Sequence, residues 1–464
     1  MHQEIPHKGL NSGQLIDFIH QLEIANIPSK IVEKSKDCII DTLGCAVFGS
    51  QQIWSKLLQA EVMNDQSNSY ATIIGTNLKS SSTSAALCNG TSAHGFELDD
   101  LIDEPIVHPG AIVISAALAS AEISKTTGER LLLGVIAGYE VMGRVGLALG
   151  VSPAHLGFHK TTLAGPVGAA VASGIILNLN REYLYNAVGL ACSTASGIKT
   201  FATGNGGGMM KRLHAGRAAE SGVRMAQLAA RNFTAPPTAL DSKFGLIEVF
   251  GGKTANVEYL SKNLGTEWMM DKIFVKVYPC CSWIQAAIQQ IVALRGPIPL
   301  NPSEIKKVRI GVCSYAAKNN GAPNPIDTMG AQYSFPYCAA LALCGDPADP
   351  NMYSEASIRD PDRRKLALDI EIFVHPTMES AYPKHYGSAI EIHLNNGEIL
   401  SSELLDPHGM PADPCSRLER DQKFNSLTKN ILPDSYREEI LDILNNCEKL
   451  NNIETLMKLL RPHN

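Results

Sequence analysis

Between residues 110 and 149 the chain reads GAIVISAALASAEISKTTGERLLLGVIAGYEVMGRVGLAL, apolar nearly all round and rich in alanine and glycine. A surface helix keeps one polar face, so a run like this belongs among closely packed buried helices. TLAGPVGAAVASGIILNL and AAESGVRMAQLAARN continue the pattern, while SGQLIDFIHQLEI and SKIVEKSKDCIIDTLGCAVFG carry apolar residues at three- and four-residue spacing. Strand signals are weak. The first 265 or so residues therefore predict a helical bundle.

The character changes near residue 268. IKKVRIGVCSYA and LDIEIFVHPTM alternate and are β-branched, and SAIEIHLNNGEILSSELL reads as a hairpin around Asn395-Asn396-Gly397. QYSFPYCAALALCGD and ASIRDPDRRKLALDI between them look helical, and SYREEILDILNNCEKLNNIETLMKLLRPH returns to amphipathic helix. The expected organisation is a mostly α protein. A large helical domain is built from both chain ends, residues 1–267 and 403–464, with a smaller α+β domain, 268–402, inserted as a lid.

A hydrophobic fraction of 45% and a charged fraction of 19% supply a sizeable core. A net charge of −6 gives no basis for a general nucleic-acid or anionic-membrane binder, so a local cluster of cations points to a small anion. No apolar run approaches the roughly 20 residues that span a bilayer. The start, MHQEIPHKGLNSGQLIDF, has no basic segment followed by an apolar one, so no secretory signal is expected. Eleven cysteines without CxxC spacing read as reduced thiols, and the expected location is cytoplasmic.

GNGGGMMKRLHAG, residues 204–216, brings Lys211, Arg212 and His214 together behind a glycine run. It lacks the GxxxxGK[ST] order of a phosphate loop and no strand precedes it. A helix beginning near Leu213 would add its positive end to those cations, making a carboxylate or phosphate trap; the competing reading is a solvated basic turn. AHGFELDDLIDEPIVHPGA packs His94, Glu97, Asp99, Asp100, Asp103, Glu104 and His108 into fifteen residues. Glu97 and Asp100, at i,i+3, are expected on one helix face, where like charges raise each other's pKa. A solvated acidic loop is the plain alternative, and no HxxxH or HExxH supports a metal, so none is assigned. PAHLGFHKTTLAGPVG sets His155 and His159 four apart beside a buried helix. In KVYPCCSWIQAAI the paired cysteines read as packing residues, since no base accompanies them. MGAQYSFPYCAALAL holds Tyr333 and Tyr337, each a possible phenol donor or core residue.

Taken in order, AHGFELDD with HPGA, GYEVMGRVG, GFHKTTLAGPVGAAVA, KRLHAGRAA, VYPCC and AQYSFPYCAALA resemble the MmgE/PrpD family over nearly the whole chain. That family includes 2-methylcitrate dehydratase, cis-aconitate decarboxylase and iminodisuccinate epimerase. The resemblance implies a helical domain with an α+β lid, a homodimer, no metal or organic cofactor, and a small di- or tricarboxylate bound between the domains. It implies catalytic roles for His108, His159, Lys211, Asp100 and Tyr337. It implies substrate contacts from Glu97, Arg144, Tyr139, Arg212, His214 and Gln285. Many members read YPCCRxTHAAI, so Gln285 and Ser282 replace a lid histidine and arginine; glutamine orients groups but does not trade protons near pH 7. Leu101-Ile102 replaces the Thr-Trp of the decarboxylases.

The chemistry these relatives share creates negative charge beside a carboxylate, which calls for positive charge aimed at the developing dianion. Lys211, with Arg212 or Arg144, is expected to hold the substrate carboxylate, and the glycine run to let the backbone approach it. His108 and His159 would form the acid/base pair, Asp100 would fix an imidazole tautomer, and Tyr337 would donate from the lid. A dehydratase or decarboxylase is the leading expectation, followed by an epimerase or isomerase. A non-catalytic carboxylate binder and a metal-dependent hydrolase are the rivals.

Overall fold

The computed structural model describes residues 10–64, 70–202 and 206–462. Four helices make the centre: Ser82–His94, Pro109–Ser124, Lys160–Ile176 and Met210–Ala229. Gly128–Ala148 packs along Lys160–Ile176, and Ser29–Ser50 lies against Ser82–His94. Their small residues are what lets them meet. A Cβ on Gly222 would fall 2.2 Å from the Cβ of Ala169, and one on Gly216 would fall 2.2 Å from the Leu87 carbonyl oxygen. Any larger side chain there forces helices apart and opens the core, which is close-packed elsewhere.

The 21-residue Gly128–Ala148 helix, with a mean hydropathy of 1.5, is long and apolar enough to cross a membrane, contrary to the sequence expectation. Its most apolar window is 94% buried against other helices, as in the core of a folded bundle.

The lid carries a four-stranded sheet in the order Ile370–Val374, Ile305–Val312, Ser388–Leu394, Ile399–Leu404. The first two strands pair in parallel, with Val308 opposite Ile370; the others pair antiparallel, with Ile310 opposite Ile390 and Ile392 opposite Leu400. The last two form the expected hairpin, with Gly397 at φ +93° in its turn. The helices Gln285–Arg295 and Phe335–Cys344 pack together and against the sheet in a buried cluster around Ile288, Ile310, Leu341 and Ile390, which continues into Trp54, Phe96 and Leu427 of the helical part.

After the lid the chain returns to the helical part. The Arg417–Thr428 helix lies along Ser29–Ser50, and a Cβ on Gly44 would meet the Phe424 backbone at 3.3 Å. Lys423 on that helix reaches inward: its Nζ pairs with Asp41 at 2.7 Å and donates to the carbonyl oxygens of Leu98 at 2.8 Å and Lys276 at 2.9 Å.

Candidate active site

Three helices begin at one place. His108 is the N-cap of Pro109–Ser124, His159 is the N-cap of Lys160–Ile176, and Lys211 is the second residue of Met210–Ala229. The last helix starts three residues before the expected Leu213, which puts both Lys211 and Arg212 inside its first turn. The His108 and His159 rings are 6.4 Å apart, and the His108 amide donates to Thr161 Oγ1 on the neighbouring helix. Helix N-termini carry partial positive charge and unsatisfied N–H groups, so this meeting point suits an anion. It opens into a cavity of about 750 Å³. Glu97, His108 and His159 line its helical side, and Lys276, Cys281 and Tyr333 its lid side.

Charge at the cavity floor is paired. The Lys211 ammonium is buried and donates to Glu97, whose second oxygen lies 3.4 Å from Lys276 Nζ; Lys276 is also 3.9 Å from Asp99. Two ammonium groups therefore face two carboxylates. The expected purely cationic pocket is instead a buried ion cluster. Burial pushes the Glu97 carboxyl up, but Lys211 and Lys276 outweigh it and hold it well below its ordinary range. Burial lowers Lys211 against the pull of Glu97, whereas Glu97 and Asp99 together raise Lys276 despite burial.

The helix expected to carry Glu97 and Asp100 on one face ends at His94. Glu97 instead adopts φ +59°, a left-handed conformation that costs a non-glycine residue on the order of 1–3 kcal/mol and is kept where surroundings over-determine it. Its two ammonium partners supply that determination.

The imidazoles are organised by Asp99. One carboxylate oxygen meets His94 Nδ1 at 2.6 Å and His108 Nδ1 at 3.2 Å; His108 Nδ1 also faces the Asp100 carbonyl at 3.1 Å. With Nδ1 so engaged, His108 presents Nε2 for chemistry. Asp100, the expected orienting acid, does something else: its carboxylate accepts from the Tyr139 hydroxyl at 2.7 Å and the Gly110 amide at 2.8 Å. Burial raises it to about 7 against those bonds. The bend at Asp99, just before the Leu101–Ile102 strand, turns the two carboxylates apart, so only one of the Asp99-Asp100 pair faces the histidines.

His159 Nδ1 lies 3.0 Å from His214 Nδ1, so one of the two rings must be neutral to accept. Burial lowers His108 to about 4 despite Asp99, and lowers His159 well below its ordinary value with Lys211 acting in the same direction; His214 is lowered to about 4 by burial. All three are neutral at pH 7. His94, Asp99 and His108 have ligand atoms within 4.8 Å of one another, the spacing of a cation site. Asp99 is, however, already committed to two imidazoles beside the Lys276 ammonium, which repels a divalent cation. Burial raises the Cys281 thiol, so it is protonated rather than a ready nucleophile.

Several expected site residues lie away from the cavity lining, among them Lys211, buried behind Glu97, and His214, which lines a separate pocket with Arg217 and Glu220. The Tyr337 hydroxyl donates to the Met352 carbonyl at 2.8 Å inside the lid core; Tyr333, just past the end of the Thr328–Gln332 helix, holds the cavity position, with Lys211 Nζ 5.4 Å from its ring centre. Arg144 is buried, bonded to Glu140 at 2.6 Å and to the carbonyls of Tyr259, Lys262 and Glu267; five donors in a fixed fork here tie a loop to its helix. Tyr139 is spent on Asp100. Arg212 stacks its guanidinium 4.1 Å from the Trp54 ring centre and donates to the Gly208 carbonyl. Gln285 accepts from the amides of Val277 and Tyr278 and donates to the carbonyls of Tyr278 and Cys280, so it braces the turn between Lys276 and Cys281.

The glycine run serves the lid. The Gly207 and Gly208 amides donate to Asp327, and a Cβ on Gly207 would fall 2.4 Å from the Phe201 carbonyl oxygen. Residues 204 and 205 of that run lie outside the described residues. Lys276 and Asp99 are the functional positions that the sequence reading left without a role. A lysine inside IFVKVYP, an otherwise apolar approach to the lid, was the available signal for the first.

Comparison with known proteins adds the following. Residues 13–258 match the MmgE/PrpD N-terminal domain and 278–449 the MmgE/PrpD C-terminal domain. The chain is 25% identical to a cis-aconitate decarboxylase of Aspergillus terreus, covering 97% of this chain and 95% of that protein. It is 26% identical to cis-aconitate decarboxylase of Homo sapiens (96% and 93%) and 23% identical to 2-methylcitrate dehydratase of Salmonella typhimurium (93% and 93%).

Proposed function

The chain belongs to the MmgE/PrpD family, and from that premise we propose that it is a lyase acting on a small di- or tricarboxylate, a dehydratase or decarboxylase. The relatives named above support this class. The observation that carries the mechanism is the neutral His108 imidazole, held by Asp99, in the same cavity as the Lys276 ammonium and Glu97, with the Lys211 ammonium buried behind Glu97.

For a dehydratase, His108 removes the proton from the carbon beside a substrate carboxylate. The electron pair moves onto that carboxylate, where Lys276 and Lys211 offset the added charge; it then forms the alkene as the β-hydroxyl leaves with a proton as water. For a decarboxylase, the C–C bond to a carboxylate breaks, carbon dioxide leaves, and the same cations stabilise the remaining carbanion until it is protonated. The four floor charges cancel at rest, and the helix N-termini at His108, His159 and Met210 add positive potential toward the bound acid.

A second reading, epimerisation, draws on one feature: His108 and His159 are both neutral, 6.4 Å apart, and can serve two faces of one carbon once one of them is protonated.

The test is proton NMR in deuterium oxide with 2-methylcitrate, citrate, cis-aconitate and malate. A new alkene, loss of carboxylate carbon, or solvent deuterium at the α-carbon without net product identifies the three reactions. Binding of these acids with none of the three changes would overturn the proposal and leave a carboxylate-binding protein.

A further inference from the structure

Beyond its charged floor, the cavity has a roof of another chemistry. Trp283, Tyr315, Tyr382 and Tyr386, all from the lid, line it together. Trp283 stacks on Tyr386 with ring centres 4.9 Å apart and planes at 24°, and Tyr315 stacks on Tyr382 at 5.8 Å and 14°. Trp283 also touches Tyr315 at 4.9 Å, so the four rings form one continuous surface. Lys199 fixes an edge of it by donating to the Tyr315 hydroxyl at 3.0 Å. Opposite, the helical part contributes Val151, Ala154 and Phe158.

None of the four rings is fully buried, and the open parts face the cavity. The faces of these rings reward an apolar substituent more than a group made only of carboxylates and hydroxyls. At about 750 Å³ the space also falls in the upper part of the roughly 300–1,000 Å³ range of small-molecule sites.

We propose that the substrate is an organic acid with an apolar or aromatic substituent, its carboxylates at the His108–Lys276 floor and its substituent against the Trp283–Tyr386 roof. This rests on the reading of the floor as a carboxylate site. Stacking and burial of the substituent supply affinity, and the roof sets which acids are accepted.

The experiment is isothermal titration calorimetry of the full chain with succinate, methylsuccinate and benzylsuccinate, which share two carboxylates and differ in the substituent. Benzylsuccinate should bind at least tenfold tighter than succinate, with methylsuccinate between them. Trp283→Ala should collapse that ratio to below threefold, and Tyr386→Leu should reduce it in the same direction if the first variant folds poorly. Equal Kd values across the series, or a ratio that both variants leave intact, would overturn the proposal. The uncharged probe 3-phenylpropanol separates the two readings. Trp283-dependent binding of that alcohol without binding of any succinate supports the roof and removes the carboxylate floor. Tight succinate binding with no benzyl preference does the reverse.

Discussion

Replacing Lys211 with methionine removes one ammonium while keeping an unbranched apolar chain of similar length. Glu97 then retains only Lys276, 3.4 Å away. Breaking a buried ion pair by deleting one partner costs about 3–5 kcal/mol, and the remaining lysine places this case near the lower end, about 3 kcal/mol. Against a typical total of roughly 5–15 kcal/mol the fold survives, with a lower urea midpoint. The catalytic effect is separate. Losing one preorganised group at the site of developing charge lowers kcat by about 10²–10³.

A third readout comes from His159, whose imidazolium form Lys211 disfavours after burial itself. Deleting the positive charge makes protonation easier, so the His159 titration followed by NMR moves upward. Turnover within tenfold of the parent in a folded Lys211→Met protein would refute the role given to this ammonium. An unmoved His159 titration would refute the electrostatic connection between them.

With the His108 pKa at about 4, the neutral base persists well into acid. The acid limb of kcat/KM should fall near pH 4 rather than 6.5, and a limb near 6.5 would reject His108 as the base. The same shift makes stability decline as pH falls from about 6.5 to 4, because the unfolded chain binds a proton that the folded one does not. Asp99→Asn leaves the site's shape intact but unsettles the His108 tautomer, and should lower kcat by about 10²–10⁴ with little change in KM. Tyr337→Phe should cost about 1 kcal/mol of stability by freeing the Met352 carbonyl, with kcat unchanged, as read by urea denaturation and kinetics. Arg144→Met should destabilise by about 3–5 kcal/mol yet leave kcat per folded molecule intact, since its partners are Glu140 and three backbone carbonyls.

The parts of the fold that follow from periodicity were legible in the sequence. The all-round apolar run predicts buried helices, and Asn395-Asn396-Gly397 predicts its hairpin. His108 and His159 were identifiable because each immediately precedes a buried helix, which fixes its position whatever the loop before it does. Roles that depend on which way a short irregular segment faces were not. The sequence offers Asp99 and Asp100 as neighbours of equal chemistry; only the turn and bend after His94, with Glu97 in the left-handed region, decide that Asp99 meets the imidazoles while Asp100 turns to Tyr139 and Gly110. Tyr333 and Tyr337 are separated by a helix boundary, so one lies free for the cavity and the other packs inside the lid. Arg144 and Glu140, at i,i+4, carry the spacing of an ion pair, but the loop carbonyls of Tyr259, Lys262 and Glu267 that take the other guanidinium donors are remote in sequence and could not be read from it.

Lys423 binds the carbonyls of Leu98 and Lys276 at once, so a side chain from the last tenth of the sequence fastens both halves of the chemistry. During synthesis the histidines and lysines emerge long before this clasp exists. A nascent chain stalled before residue 423 lacks the contacts that tie Leu98 and Lys276 to one ammonium group. Removal of the final helices would therefore undo that clasp while sparing each residue that lines the cavity.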